Sequence, residues 1–94
     1  MKPVVLITWT DASDHRETWV GETDAEQFGN EDCTILSIGF LVNKTAKYYT
    51  LAADWIKADK DYGRVTKIPV AMVEQIIEIR MDDVATVEIR TEDT

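Results

Sequence analysis

The first polar segment of the chain concentrates side chains that could do acid–base or metal chemistry. Within the seven positions 11 to 17 stand Asp11, Asp14, His15 and Glu17. Such carboxylates and imidazoles bind Zn²⁺ and act as general acids and bases. Zinc sites, however, usually draw His or Cys ligands from separate rigid elements, and His15 is the only histidine. We therefore expect a solvated loop, no cofactor and no enzymatic role, with a metal site or Asp–His pair as the less favoured alternative.

The elements that flank this loop indicate a structural role for it and not a catalytic one. The β-branched run from Val4 to Trp9 predicts a buried strand, and Asp11 directly after it is placed to cap the loop backbone. Trp9 and Trp19 stand at the two ends of the loop, and Trp19 with Val20 can begin a second short strand. We expect the two Trp to close one end of a core, with ligand stacking or partner binding as the alternative.

A second group of side chains is the better candidate for binding. Tyr48 and Tyr49 are neighbours in a predicted strand, so they point to opposite faces of the sheet. Aromatic residues beside a polar loop can form an interface or an anion-binding pocket, although packing is the simpler alternative. The candidate ligand- or partner-binding residues are therefore Trp9, Trp19, Tyr48, Tyr49, Trp55, Lys57, Lys60, Tyr62 and Arg64.

The remaining pattern is that of short strands. A capping box from Thr23 to Glu26, followed by Gly29 and Asn30, predicts a short helix with a left-handed end. Residues 33–42 and 47–53 predict a hairpin. Gly39 in its first arm indicates a bulge, a bend or a close backbone approach.

After the hairpin, residues 54–63 read as a polar loop. Residues 64–68 predict a strand that Pro69 stops, and "PVAMV" predicts a single helical turn. Residues 74–80 and 84–90 alternate as strands do. The whole predicts one domain over 1–94, mainly β, with five to six strands in a small bent barrel; 81–94 is a C-terminal extension that adds a further strand.

Charge and cysteine content exclude some functions. The net charge of −8 repels phosphate backbones and argues against general nucleic-acid binding. Cys33 is the only cysteine, so no intrachain disulfide forms and a reducing compartment is expected. The apolar run at the start is too short for a membrane span or a signal-peptide core, so we predict a cytoplasmic protein without membrane partners.

Three resemblances carry these expectations further. The stretch "GRVTKIPVAMVEQI" resembles the end of a Src-homology-3 domain, although Met72 stands where such a domain offers its Tyr, so proline-rich ligand binding does not carry over. "SIGFLVNKTAKYYTLAAD" is similar to the first motif of Sm-like barrels, without that family's second motif. "VLITWTDASD", "ILSIGFLV", "YYTLAAD" and "IPVAMVEQIIEI" together resemble a group of small uncharacterised proteins of tailed bacteriophages. These resemblances imply a Src-homology-3-like or Sm-like barrel of phage origin, in the cytoplasm of an infected bacterial host.

We therefore expect a non-enzymatic binding protein that acts on a host protein, as a host-takeover or counter-defence factor would. The alternative is an oligomer that sequesters a small anionic, nucleotide-like signal in a pocket lined by Lys57, Lys60 or Arg64. A homo-oligomer is expected in both cases because an open barrel leaves edge strands that self-association would cover.

Overall fold

The computed structural model describes residues 2–80, and the extension 81–94 with its predicted strand at 84–90 lies outside the described residues. The described residues contain five strands, one helix and one 3₁₀ turn, in the order β1 Val4–Thr10, α1 Glu22–Gly29, β2 Thr34–Lys44, β3 Tyr48–Ile56, β4 Asp61–Pro69, the turn Val70–Met72, and β5 Val73–Ile79. Among these residues no helix is long and apolar enough to cross a membrane.

All five strands belong to one antiparallel sheet in the order β4-β3-β2-β1-β5. The mainly β class and the β2–β3 hairpin are therefore confirmed. The predicted strand of residues 64–68, its stop at Pro69 and the helical turn after it are also confirmed. The edge strands β4 and β5 do not pair with each other, so the closed barrel is not confirmed.

One face of the sheet carries the core. Val5 and Ile7 of β1, Leu51 of β3 and Ile68 of β4 form a buried cluster. Trp9 and Leu41 pack against this cluster, and so do Tyr49, Val73 and Ile76. Because Ile68 lies on one edge strand and Val73 and Ile76 on the other, the sheet must bend until both edges share the same core.

Gly39 permits this bend by letting β3 approach β2 closely. A Cβ atom on Gly39 would lie 2.7 Å from the carbonyl oxygen of Ala52, closer than real Cβ contacts come. The close approach predicted at this glycine is confirmed, and a register irregularity follows between Leu41 and Asn43.

Three predictions about the segment before β2 were wrong. Helix α1 exists, but its N-cap is Gly21 with no side-chain cap, so Thr23 does not begin a capping box. Asn30 ends the helix at φ −96°, not in the left-handed region. Trp19 and Val20 lie in an irregular segment and do not begin a strand.

The predicted polar loop at 54–63 was also wrong. Asp54 and Trp55 belong to β3 and Tyr62 belongs to β4, so only residues 57–60 connect the two strands. The Lys60 amide donates to the Ile56 carbonyl across this tight turn, at 2.7 Å. Cross-strand pairing therefore continues through positions whose polar composition resembles that of a loop.

Candidate functional site

The face of the sheet opposite the core is apolar as well. Residues paired across antiparallel strands point to the same face, so the ladder registers define rows of side chains. One row crosses all five strands as Val65, Ala52, Phe40, Val4 and Ile79. The next two rows are Ile38–Leu6–Ile77 and Leu36–Thr8–Gln75. We call the apolar members of these rows the outer apolar face: Val4, Leu6, Leu36, Ile38, Ala52, Phe40, Val65, Ile77 and Ile79.

Large aliphatic side chains of this face are open to solvent. The exposed fraction is 67% for Leu36, 61% for Ile38 and 45% for Ile77. Ile38 and Ile77 flank Leu6 in the same row, so the exposed side chains form a patch and are not scattered singly. Contiguous exposed apolar patches on soluble proteins mark interaction sites.

The side chains of β2 are oriented in a way that a solvent-facing strand does not require. Ile35, Ser37 and Gly39 point to the core side, paired with Trp9, Ile7 and Val5. An antiparallel sheet with one solvent-exposed face normally directs its polar side chains to that face. In β2 the polar Ser37 and the small Gly39 point inward, so the outward aliphatic residues are not what a solvent-facing sheet surface requires.

Sequence reasoning missed this surface. The run "ILSIGFLV" was interpreted as a strand with a Gly bend, and no residue of the outer apolar face was selected as a candidate. The available signal was the lack of polar alternation, which is typical of strands covered on both faces.

The aromatic and cationic candidates meet in one small pocket. Trp55 and Tyr62 pair across β3 and β4, and with Lys60 and Lys2 they line a pocket of about 390 Å³. The Phe40 ring packs edge-on to Trp55 at 6.3 Å between centroids. Lys2 was not predicted, because it lies two residues before β1 and only the fold brings it to the hairpin.

The other candidates lie elsewhere. Tyr49 packs against the core, while Tyr48 is on the opposite face with the Lys67 ammonium 4.4 Å from its ring centroid, so the prediction that they point apart is confirmed. Lys57 is exposed in the β3–β4 turn and does not line the pocket. Arg64 borders a different cavity of about 190 Å³ beside Leu51.

Arg64 is already paired. Its Nε and one terminal nitrogen donate to the Asp54 carboxylate at 2.8 and 3.1 Å, although both side chains stay mostly exposed. These hydrogen bonds hold the pKa of Asp54 below its ordinary value and raise the pKa of Arg64. Its backbone φ of 51° is unusual for a residue with a side chain. An anion at Arg64 must therefore compete with Asp54.

The two Trp at the ends of the first loop have different environments. Trp9 packs against the core and its Nε1 donates to the Ser37 hydroxyl at 3.0 Å, which fits the predicted packing role. Trp19 is 91% exposed, so the prediction that the pair closes a core was wrong for Trp19. Without a strand at 19–20, nothing in the sheet pattern directs that side chain inward.

The residues singled out for chemistry serve local structure in the loop. His15 Nδ1 accepts a hydrogen bond from the Glu17 amide at 3.0 Å, and its ring packs edge-on to Phe28 at 5.1 Å. Asp32, not Asp11, makes the carboxylate cap, because it accepts from both the amide and the hydroxyl of Thr34. These bonds lower the pKa of Asp32. Within residues 2–80, no group of three or more His, Cys, Asp or Glu side chains is placed to hold a metal ion.

Comparison with known proteins adds no family to this picture. No protein-family model, curated protein or solved structure matches the chain. The resemblance to the tailed-phage group therefore stays a prediction from sequence.

Proposed function

We propose that the protein is a non-enzymatic binding protein that docks its outer apolar face on another protein. The observation that carries this proposal is the exposure of Leu36, Ile38 and Ile77 in adjacent rows of one sheet face. Covering such side chains removes apolar surface from water, which is the main favourable term in protein association.

The charge of the chain defines the chemistry of the partner. The three rows of the face contain no charged residue, while the chain as a whole carries −8. A partner with an apolar patch and a basic rim gains both apolar burial and electrostatic complementarity. Two copies of this chain would instead bring together twice −8, or −16. The charge thus favours a foreign partner over the predicted homo-oligomer.

We further propose that the source is a tailed phage and the partner a protein of the host cytoplasm, bound as part of host takeover or counter-defence. The support is the sequence resemblance carried by "VLITWTDASD", "ILSIGFLV" and "IPVAMVEQIIEI". A protein that acts by occupying a host surface needs an exposed patch and no catalytic group.

The finer fold belongs to the same proposal: a Src-homology-3-like or Sm-like bent barrel. Its support is the three-residue turn Val70–Met72, which joins strands at opposite edges of the sheet. In a flat sheet the edge strands β4 and β5 would lie four strand spacings apart, or about 19 Å. The chain from Pro69 at the end of β4 to Val73 at the start of β5 can span at most about 15 Å. The turn can therefore join the two strands only if the sheet curls strongly.

The test compares two exposed apolar residues of similar exposure, one on the outer apolar face and one outside it. Ile77 is 45% exposed and Met72, in the 3₁₀ turn, is 39% exposed. The wild-type protein is used to capture a partner from bacterial lysate, and the identified partner is purified and titrated against wild type, Ile77→Lys and Met72→Lys. We expect Ile77→Lys to weaken binding at least about tenfold and Met72→Lys by less than about threefold.

Equal effects of the two variants would overturn the assignment of the face. Light scattering of the purified protein tests whether a second copy of this chain occupies the face instead. A mass of two chains that falls to one chain in Ile77→Lys would give the face to a second copy and would contradict the proposed foreign partner.

A further inference from the structure

The pocket beside the β3–β4 hairpin offers an aromatic surface. Trp55 and Tyr62 stand opposite each other in the ladder, and both line the pocket. The Phe40 ring packs edge-on to Trp55, with 64° between the ring planes, and so restricts the position of the indole. Planar ligands stack on such side chains, and stacking tolerates many ring types.

The charge at the pocket is opposite to the charge of the chain. Lys2 and Lys60 line it, and none of the carboxylates within residues 2–80 does. Asp59 and Asp61 flank Lys60 in sequence without lining the pocket. In a chain of net charge −8, two ammonium groups beside an aromatic pair form a local site for an anion.

Two further features are found at this pocket. Lys60 has φ 60°, a left-handed conformation that Gly or Asn adopts more readily, and it shares this feature with Arg64 outside the pocket. The Trp55 Nε1–H is buried and has no hydrogen-bond partner within the described part of the chain. Strained backbone and unsatisfied donors are both enriched at functional sites.

We propose that this pocket binds a planar aromatic anion of the size and class of a nucleoside monophosphate. Trp55 and Tyr62 stack on the base, and Lys2 and Lys60 bind the phosphate. The volume of about 390 Å³ lies within the range of small-molecule pockets. The pocket adjoins the outer apolar face through the Phe40–Trp55 contact, but Leu36, Ile38 and Ile77 do not line it and it takes a different class of ligand.

The test is calorimetric titration of the full chain with adenosine monophosphate, using two variants that remove the same charge from the same turn. Lys60→Asn removes a lining ammonium at a position where Asn tolerates the left-handed backbone, and Lys57→Asn removes one that does not line the pocket. We expect Lys60→Asn to weaken binding at least about fivefold and Lys57→Asn less than about twofold. Adenosine and inorganic phosphate should each bind more weakly than the nucleotide.

An independent readout is the indole resonance of Trp55 in ¹⁵N-labelled protein, which should shift on saturation while that of the exposed Trp19 stays in place. Absence of saturable binding at up to about 5 mM nucleotide would overturn the proposal. Equal loss of affinity in the two Lys variants would overturn the assignment of the pocket as the site. Phosphate binding as tight as that of the nucleotide would overturn the stacking role of Trp55 and Tyr62. The assay contains no partner protein, so its failure is distinct from failure of the outer apolar face.

Discussion

Along β2, the residues that point to the core include Ser37 and Gly39, whereas those that point outward include Leu36 and Ile38. The inner face is explained by folding: Gly39 lets β3 approach, and the Ser37 hydroxyl accepts from the Trp9 indole. The outer face has no such explanation, because its members Leu36, Ile38 and Ile77 are exposed to water. The comparison distinguishes the apolar residues of the core face, which stabilise the fold, from those of the outer face, for which we propose association.

The largest effect should come from truncating the inner face. Ile7 is fully buried in the core cluster, so Ile7→Ala leaves a cavity and should lower the free energy of unfolding by about 2–5 kcal/mol. Urea unfolding followed by circular dichroism measures it. A loss below about 1 kcal/mol would show that this face is not the core.

Adding volume to the inner face should come next. Gly39→Ala places a Cβ 2.7 Å from the Ala52 carbonyl oxygen, so backbone must shift, and we expect a loss of about 1–3 kcal/mol. The matched control is Gly29→Ala in α1, where nothing lies within 4 Å of the added atom. That variant should be neutral or stabilised by up to about 1 kcal/mol. Equal destabilisation of the two variants would contradict the close approach of β2 and β3.

A change on the outer face should barely affect folding. Ile38→Thr keeps a β-branched side chain at a position that is already 61% exposed, so the free energy of unfolding should change by no more than about 0.5 kcal/mol. The same urea titration measures it. A loss as large as that of Ile7→Ala would mean that the outer apolar face is a second core.

The smallest effect concerns the exposed Asp54–Arg64 pair. Hydrogen bonds from Arg64 lower the pKa of Asp54 in the folded protein below its ordinary value of 3.8. The pair therefore contributes stability above that value, and the contribution is lost as pH falls through the lowered pKa. Asp54→Asn should flatten the pH dependence of the urea midpoint below about pH 4. An unchanged slope would show that the pair does not form in solution.

Local sequence signals located most elements of the fold. β-Branched runs, the glycine of β2 and the Pro before the 3₁₀ turn each act within a few residues, so the class, the hairpin and the turn follow from them. Signals failed where tertiary pairing overrides composition. Pairing between β3 and β4 holds the polar stretch around Asp54 and Asp61 in strands, whereas no strand within residues 2–80 pairs with Trp19.

The candidate sites were predictable only in part. The grouping of Trp55, Lys60 and Tyr62 follows from one hairpin, so proximity in sequence was enough to suggest it. Lys2 joins them from the start of β1, which no local pattern reveals. The outer apolar face combines residues of β1 to β5, and only the register of these strands separates its residues from those of the core.

The most direct test of the outer apolar face as the binding surface is chemical-shift mapping of the ¹⁵N-labelled protein with the captured partner. We predict that the largest changes occur at Leu36, Ile38 and Ile77, with little change at His15 in the first loop or Lys57 in the β3–β4 turn. Largest changes at His15 or Lys57, with Ile38 and Ile77 unaffected, would contradict the assignment of the outer apolar face to partner binding.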